Sequence, residues 1–224
     1  MSTGRKLPHR IDGPIDVVLL DIIEYIKFPR PGIFTPNMLT SLSFGFGLLA
    51  CYLVYTYKFV FGAVSYSLSY FFDCSDGYVA RKYNMVSSFG DVYDHITDIT
   101  VWVLLFYILY LLNPLLFLQF VPAILLLFYL MSMHFSFQEK YTSATTSPFL
   151  RAMGVLNPFL YDGITKTEIE NYMRYTRYFS SGTFSLFIVC IILFYGWTAK
   201  NELKVPPYKT SDNTHLSSLS NQYN

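Results

Sequence analysis

Charge is what this sequence has little of. Only 14% of its 224 residues are Asp, Glu, Lys or Arg, and they sum to a net charge of +1. So few cations give no electrostatic footprint for a phosphate backbone, and nucleic acid is not expected as a partner. Cysteine is scarce as well. Cys51, Cys74 and Cys190 lack the spacing of a metal site or a disulfide framework, so they read as helix-packing residues. A cleavable signal peptide is not visible. Arg5, Lys6, His9 and Arg10 are not followed directly by an apolar run, so the chain is expected to enter a membrane through its own spans.

What remains is apolar and aromatic: 53% hydrophobic, with 20 Tyr and 21 Phe, too greasy for an ordinary soluble domain. A bilayer core asks for about 20 apolar residues per helix. Residues 38–57 carry no charge and qualify; residues 59–72 run on into Asp73. A third span extends from Gly90 to Leu112, a fourth covers 115–133 and a fifth 178–197. One helix over 99–133 would be about 52 Å long, more than a bilayer, so Asn113-Pro114 is expected to turn the chain between antiparallel spans. Residues 135–176 are mixed and polar, Ser/Thr-rich at 143–147; a sixth span hidden in 148–165 would have to carry Arg151 and Asp162. The expected fold is an all-α polytopic transmembrane bundle of five to six spans. It divides into an N-terminal segment (1–34), a membrane domain (35–198) and a polar tail (199–224) expected to be disordered.

Before the first span, apolar residues at 15, 18, 19, 22, 23 and 26 keep helical spacing with acids on the other face. Such a helix either lies along the membrane surface or packs on protein. Lys and Arg gather in the N-terminal segment, at Arg81-Lys82 and in 135–176, while the turn at Asn113 has none. The positive-inside bias puts those segments, and the acids next to them, in the cytosol.

Those acids are the informative feature. Ser65, Ser69, Asp73, Asp76 and Ala80 follow steps of 4, 4, 3 and 4, and Gly90, Asp94 and Asp98 follow steps of 4 and 4. Each set keeps one helix face. Asp91 stands one step off that face, where an acid suits a helix N-terminus. A short link around Asn84 predicts that the two helices pack as a hairpin, so that the acidic faces converge. Small residues at 65, 69, 77, 80 and 90 would let backbones or a flat ligand come close. Carboxylates beside hydrocarbon are expensive and repel one another unless a cation holds them. Asp without a Cys or His cluster favours a hard ion, Mg²⁺ or Mn²⁺. Two such ions would neutralise four acids and could clamp a phosphoryl displacement. His95 reads as a support for an acid rather than a ligand, and His134 as an interfacial residue.

The spacing D-x-x-D-G-x-x-A-R-x8-G-x-x-x-D-x-x-x-D, filled here by Asp73, Asp76, Gly77, Ala80, Arg81, Gly90, Asp94 and Asp98, resembles the signature of the CDP-alcohol phosphotransferase family. Thr35-Pro36-Asn37 before the first span also looks like that family's entry. The resemblance implies a CDP-linked donor, an alcohol acceptor whose hydroxyl attacks phosphorus, and release of CMP at a bilayer. It implies that Asp73, Asp76 and Asp94 are metal ligands and that Asp98 is both ligand and general base. Gly77 and Ala80 would make room for cytidine, Arg81 would support the diphosphate or an acid, and Gly90 would let the helices close. A homodimer, and an endoplasmic-reticulum or other internal membrane, are left open by it.

Asp94-His95 looks like the pair in choline and ethanolamine phosphotransferases, which use diacylglycerol as acceptor. The size of the chain and Met173-Arg-Tyr-Thr-Arg177 resemble phosphatidylinositol synthases, and the lean is to transfer from CDP-diacylglycerol. Arg174 and Arg177 suit a phosphate, or simply obey the positive-inside bias. Three other readings compete. A prenyltransferase would need two separated acid motifs; a divalent-cation carrier usually shows internal repeats, and none is visible. A catalytically inactive lipid-binding relative would fit the short span count.

Overall fold

The computed structural model describes residues 7–28, 34–142, 154–155 and 157–202. Among them are seven α-helices, one short 3-10 turn and no strand. The helices are α1 (Pro14–Tyr25), α2 (Pro36–Tyr55), α3 (Phe59–Lys82), α4 (Ser88–Leu112), α5 (Pro114–Thr142), α6 (Lys166–Thr176) and α7 (Ser181–Glu202), with the 3-10 turn Arg177–Phe179 between the last two. Arg5, Lys6, the 143–147 stretch, Arg151 and the tail beyond 202 lie outside the described residues.

The helix starts follow from local chemistry. Thr35 caps α2, its hydroxyl accepting from the Met38 N–H at 3.3 Å, with Pro36 as first helical residue. Ser87 does the same for α4, accepting from Gly90 N–H at 3.0 Å. Asn84, at φ 55°, ends α3 in the left-handed conformation that Asn tolerates. At Asn113-Pro114 the chain turns as expected, and the Asn113 side chain accepts from Leu116 N–H at 3.0 Å to start α5.

Among the described residues, four segments are long and apolar enough to cross a membrane: α2, α4, α5 and the stretch that contains α7. Helix α3 has 24 residues, about 36 Å, which is long enough. Its second half carries Asp73, Asp76, Arg81 and Lys82, so it does not share their apolarity. In 148–165, residues 148–153 and 156 are outside the description, and the described remainder holds no long helix. Helix α5 runs nine residues past the apolar stretch expected at 115–133. Gln138, Glu139 and Lys140 are good helix formers, so the end of the apolar run is not the end of the helix.

Helices α2 and α3 form the closest seam. Small buried residues line it: Ser43, Gly47 and Ala50 face Gly62, Ala63, Ser65 and Ser69. The Ser65 and Ser69 hydroxyls donate across it to the carbonyls of Phe46 and Ser43, each at 2.8 Å. These two serines therefore serve α2 first. The last helix, α7, packs mainly on α3, with Phe59 where a Cβ on Gly196 would fall, 2.8 Å away, and it reaches α4 through Phe184 edge-on to Trp102 at 5.2 Å.

One expectation is corrected. Helices α3 and α4 do not pack backbone to backbone as the expected hairpin; both lean on α2 instead, and they meet through side chains, Trp102 Nε1 donating to Tyr66 Oη at 3.1 Å. The α2 seam holds α3, and Val101 of α4 sits where a Cβ on Gly47 would fall, 2.6 Å away. The two acidic faces therefore look at each other across a cleft.

Helix α1 packs on protein along one face only. Leu20 and Ile23 are buried with Leu39, Tyr78 and Val79, while Val18, Ile22, Tyr25 and Ile26 form an exposed apolar stripe. Its acids are also split: Asp21 and Glu24 are exposed, but Asp16 turns inward.

Candidate active site

Helix α3 supplies Asp73 and Asp76 from its second half, and α4 supplies Asp94 and Asp98 from its first half. Carboxylate oxygens of Asp73, Asp76 and Asp94 come within 4.8 Å of one another across the cleft. Oxygens on opposite sides of a hard cation stand about 4–5 Å apart, given ligand distances near 2.0–2.6 Å. The spread therefore suits one shared ion. Asp94 Oδ1 is buried without a hydrogen-bond partner among the described residues, which a cation would satisfy. Oxygen-only donors agree with Mg²⁺ or Mn²⁺ rather than a soft metal.

Asp98 stands apart from this trio. It lines a cavity of about 140 Å³ with Asp73, Asp94, Tyr66, Tyr70 and Trp102. A second cavity of about 250 Å³ holds Asp73, Asp76, Gly77, Arg81, Asp91 and Asp94. Asp73, Asp94, His95, Phe135 and Ser181 line both, so the two spaces meet at the acids.

The other signature residues take definite places. Arg81 lines the larger cavity and has Asp76 and Asp12 as charged neighbours. Its guanidinium lies over Gly77, where a Cβ would be 2.9 Å from Arg81 Nη1. The missing side chain at Gly77 is thus used first by Arg81. Gly90 brings the first turn of α4 close to α2: a Cβ there would be 3.1 Å from Asn37 Oδ1. Ala80 is not among the residues lining either cavity. His95 Nδ1 is 3.7 Å from Asp94 Oδ2 and Nε2 is 3.9 Å from Asp91 Oδ1, so the ring sits between two acids of its own helix.

Several residues of the site have no signal in spacing alone. The Thr40 hydroxyl donates to Asp76 Oδ2 at 2.5 Å from one turn into α2. It lies three residues beyond Thr35-Pro36-Asn37, but its reach to α3 depends on the seam. His134 is buried rather than interfacial, and its Nδ1 pairs with Thr176 Oγ1 at 3.0 Å. Asp16, far from the signature in sequence, lines the larger cavity. Arg174 and Arg177 line neither cavity: Arg174 pairs with Glu170 at 3.4 Å, and Arg177 donates to the Arg10 carbonyl at 2.6 Å.

Comparison with known proteins gives three findings. The family model described as CDP-alcohol phosphatidyltransferase matches residues 33–197. A CDP-diacylglycerol–glycerol-3-phosphate 3-phosphatidyltransferase of Rickettsia felis is 43% identical over 51 residues, which is 23% of this chain and 28% of that protein. No solved structure matches.

Proposed function

The chain belongs to the CDP-alcohol phosphatidyltransferase family, and from that premise we propose that it moves a phosphatidyl group from CDP-diacylglycerol to an alcohol and releases CMP. The observation that carries this reading is the trio of carboxylates within 4.8 Å, with Asp98 on the wall of the adjoining cavity. Asp73, Asp76 and Asp94 would share one divalent ion, Mg²⁺ or Mn²⁺, and Asp98, on the adjoining cavity wall with Asp73 and Asp94, would help to hold a second. Bound there, the ions would neutralise the diphosphate and stabilise its departing oxygen.

The chain's own groups do the rest. Asp98 accepts the proton of the acceptor hydroxyl as that oxygen bonds to the phosphorus bearing diacylglycerol. The bond from this phosphorus to the CMP oxygen breaks, and CMP leaves with the electron pair. Arg81, held over Gly77 in the larger cavity, meets the diphosphate charge. Gly77, under Arg81, keeps that helix face low beside the cytidine, and the small Ala80, behind the cavity wall, adds no bulk there. Thr40 fixes Asp76 through its 2.5 Å hydrogen bond. By the Lys and Arg bias, this end of the bundle faces the cytosol.

Purified protein given labelled CDP-diacylglycerol, Mn²⁺ and a panel of alcohols is expected to release CMP, and a chelator is expected to stop it. CMP appearing only with CDP-choline and diacylglycerol would support the choline or ethanolamine reading instead. No CMP from either donor, with Mn²⁺ flux in liposomes, would favour a carrier.

A further inference from the structure

We propose that the cavity wall made by α1 and the start of α7 is the acceptor subsite, and that it takes an uncharged, polyhydroxylated alcohol. This rests on the transfer reading above for the reaction, but not for the binding.

The wall exists because two glycines let α1 and α7 meet. A Cβ on Gly182 would lie 2.7 Å from Ile15 Cβ, and at Gly13 a Cβ would run into Ser180 and Asp16. The approach brings a carboxylate of α1 onto hydroxyls of α3 and α7. Tyr70 Oη donates to Asp16 Oδ1, Ser181 Oγ donates to the same oxygen at 3.4 Å, and the two hydroxyls are 3.1 Å apart.

This network opens on both cavities. Asp16, Ser180 and Ser181 line the larger one, and Tyr70 and Ser181 line the smaller one that holds Asp98. Ser180 points to a ligand by itself. It is 2% exposed, its Oγ has no hydrogen-bond partner among the described residues, and it lines the cavity. A buried hydroxyl left without a partner is destabilising until something completes it.

The chemistry of the wall selects among acceptors. Three hydroxyls around one carboxylate offer donors and acceptors side by side, which alcohol groups can match in both roles. An anionic acceptor would approach Asp12 and Asp16 on this wall and the acid trio opposite. Of the arginine forks that suit a phosphate, Arg81 in this cavity is given to the donor's diphosphate, and those at 174 and 177 are engaged elsewhere. A cationic acceptor would have to displace the two hydroxyls, Tyr70 and Ser181, that already engage Asp16 Oδ1. An alcohol held on Tyr70 and Ser181 presents a hydroxyl across the smaller cavity from Asp98.

The test uses the full chain in detergent with glycerol, myo-inositol, glycerol 3-phosphate and ethanolamine. Without donor, a polyol is expected to raise the wild-type Tm, and Tyr70→Phe is expected to lose that shift. With CDP-diacylglycerol present, Tyr70→Phe and Ser180→Ala should each raise the polyol KM about tenfold and leave the donor KM unchanged. Stabilisation and turnover with glycerol 3-phosphate or ethanolamine, but with no polyol, would overturn the proposal. So would an unchanged polyol KM in both variants. Polyol stabilisation lost in Tyr70→Phe, with no CMP from any acceptor, would uphold this subsite and sink the transfer reading.

Discussion

Asp98→Asn lowers the rate of CMP release by about 10²- to 10⁴-fold, the range that a positioned general base supplies. The amide keeps the size of the side chain and an oxygen toward the cleft, but it cannot take up the acceptor proton. Asp98 lies outside the trio whose oxygens share one 4.8 Å neighbourhood. Mn²⁺ binding, followed by electron paramagnetic resonance, should therefore weaken far less than turnover. Loss of Mn²⁺ binding in step with loss of rate would show that Asp98 acts as a ligand alone.

Asp73→Ala should be more severe still. Asp73 and Asp94 are the acids that line both cavities, and Asp73 is the member of that pair supplied by α3. Removing it leaves the α3 side of the cleft with Asp76, which Thr40 already engages. Both Mn²⁺ binding and CMP release should fall below detection. A second readout has the opposite sign. In chelator, where like charges crowd a poorly solvated cleft, the variant should melt above the wild type, because one repelling carboxylate is gone. Near-normal turnover in Asp73→Ala would contradict the site as drawn.

How far the sequence could be read depends on what each feature is made of. The acid faces were legible because helical spacing is a local property. Steps of 4, 3 and 4 put Asp73 and Asp76, or Asp94 and Asp98, on one face whatever surrounds them. The Asn113-Pro114 turn was legible from length, since one helix over 99–133 would outrun a bilayer and the proline breaks it. The distance between the two acid faces was not. It is set by α2, whose small-residue seam takes α3 and whose Gly47 seats Val101 of α4. The extent of α5 escaped an apolarity count, since Gln138 to Thr142 continue the helix without continuing the apolar run.

The place of Asp16 could not be inferred from α1 alone. Its spacing assigns it to the polar face, and only Tyr70 and Ser181, 54 and 165 residues away, draw its carboxylate inward while Asp21 and Glu24 stay exposed. His134 likewise needed Thr176, 42 positions on, to become a buried residue. Arg81 over Gly77 is the converse case: two signature positions four apart interact within one helix turn, so one fixes the use of the other.

Anomalous diffraction at the manganese edge, from crystals grown with Mn²⁺ and a CDP-linked lipid, tests the metal cleft directly. Two peaks about 4 Å apart should appear between α3 and α4, touched by Asp73, Asp76, Asp94 and Asp98 and facing the diphosphate. A lipid diphosphate bound with no manganese in the cleft, and those carboxylates turned from one another, would contradict it.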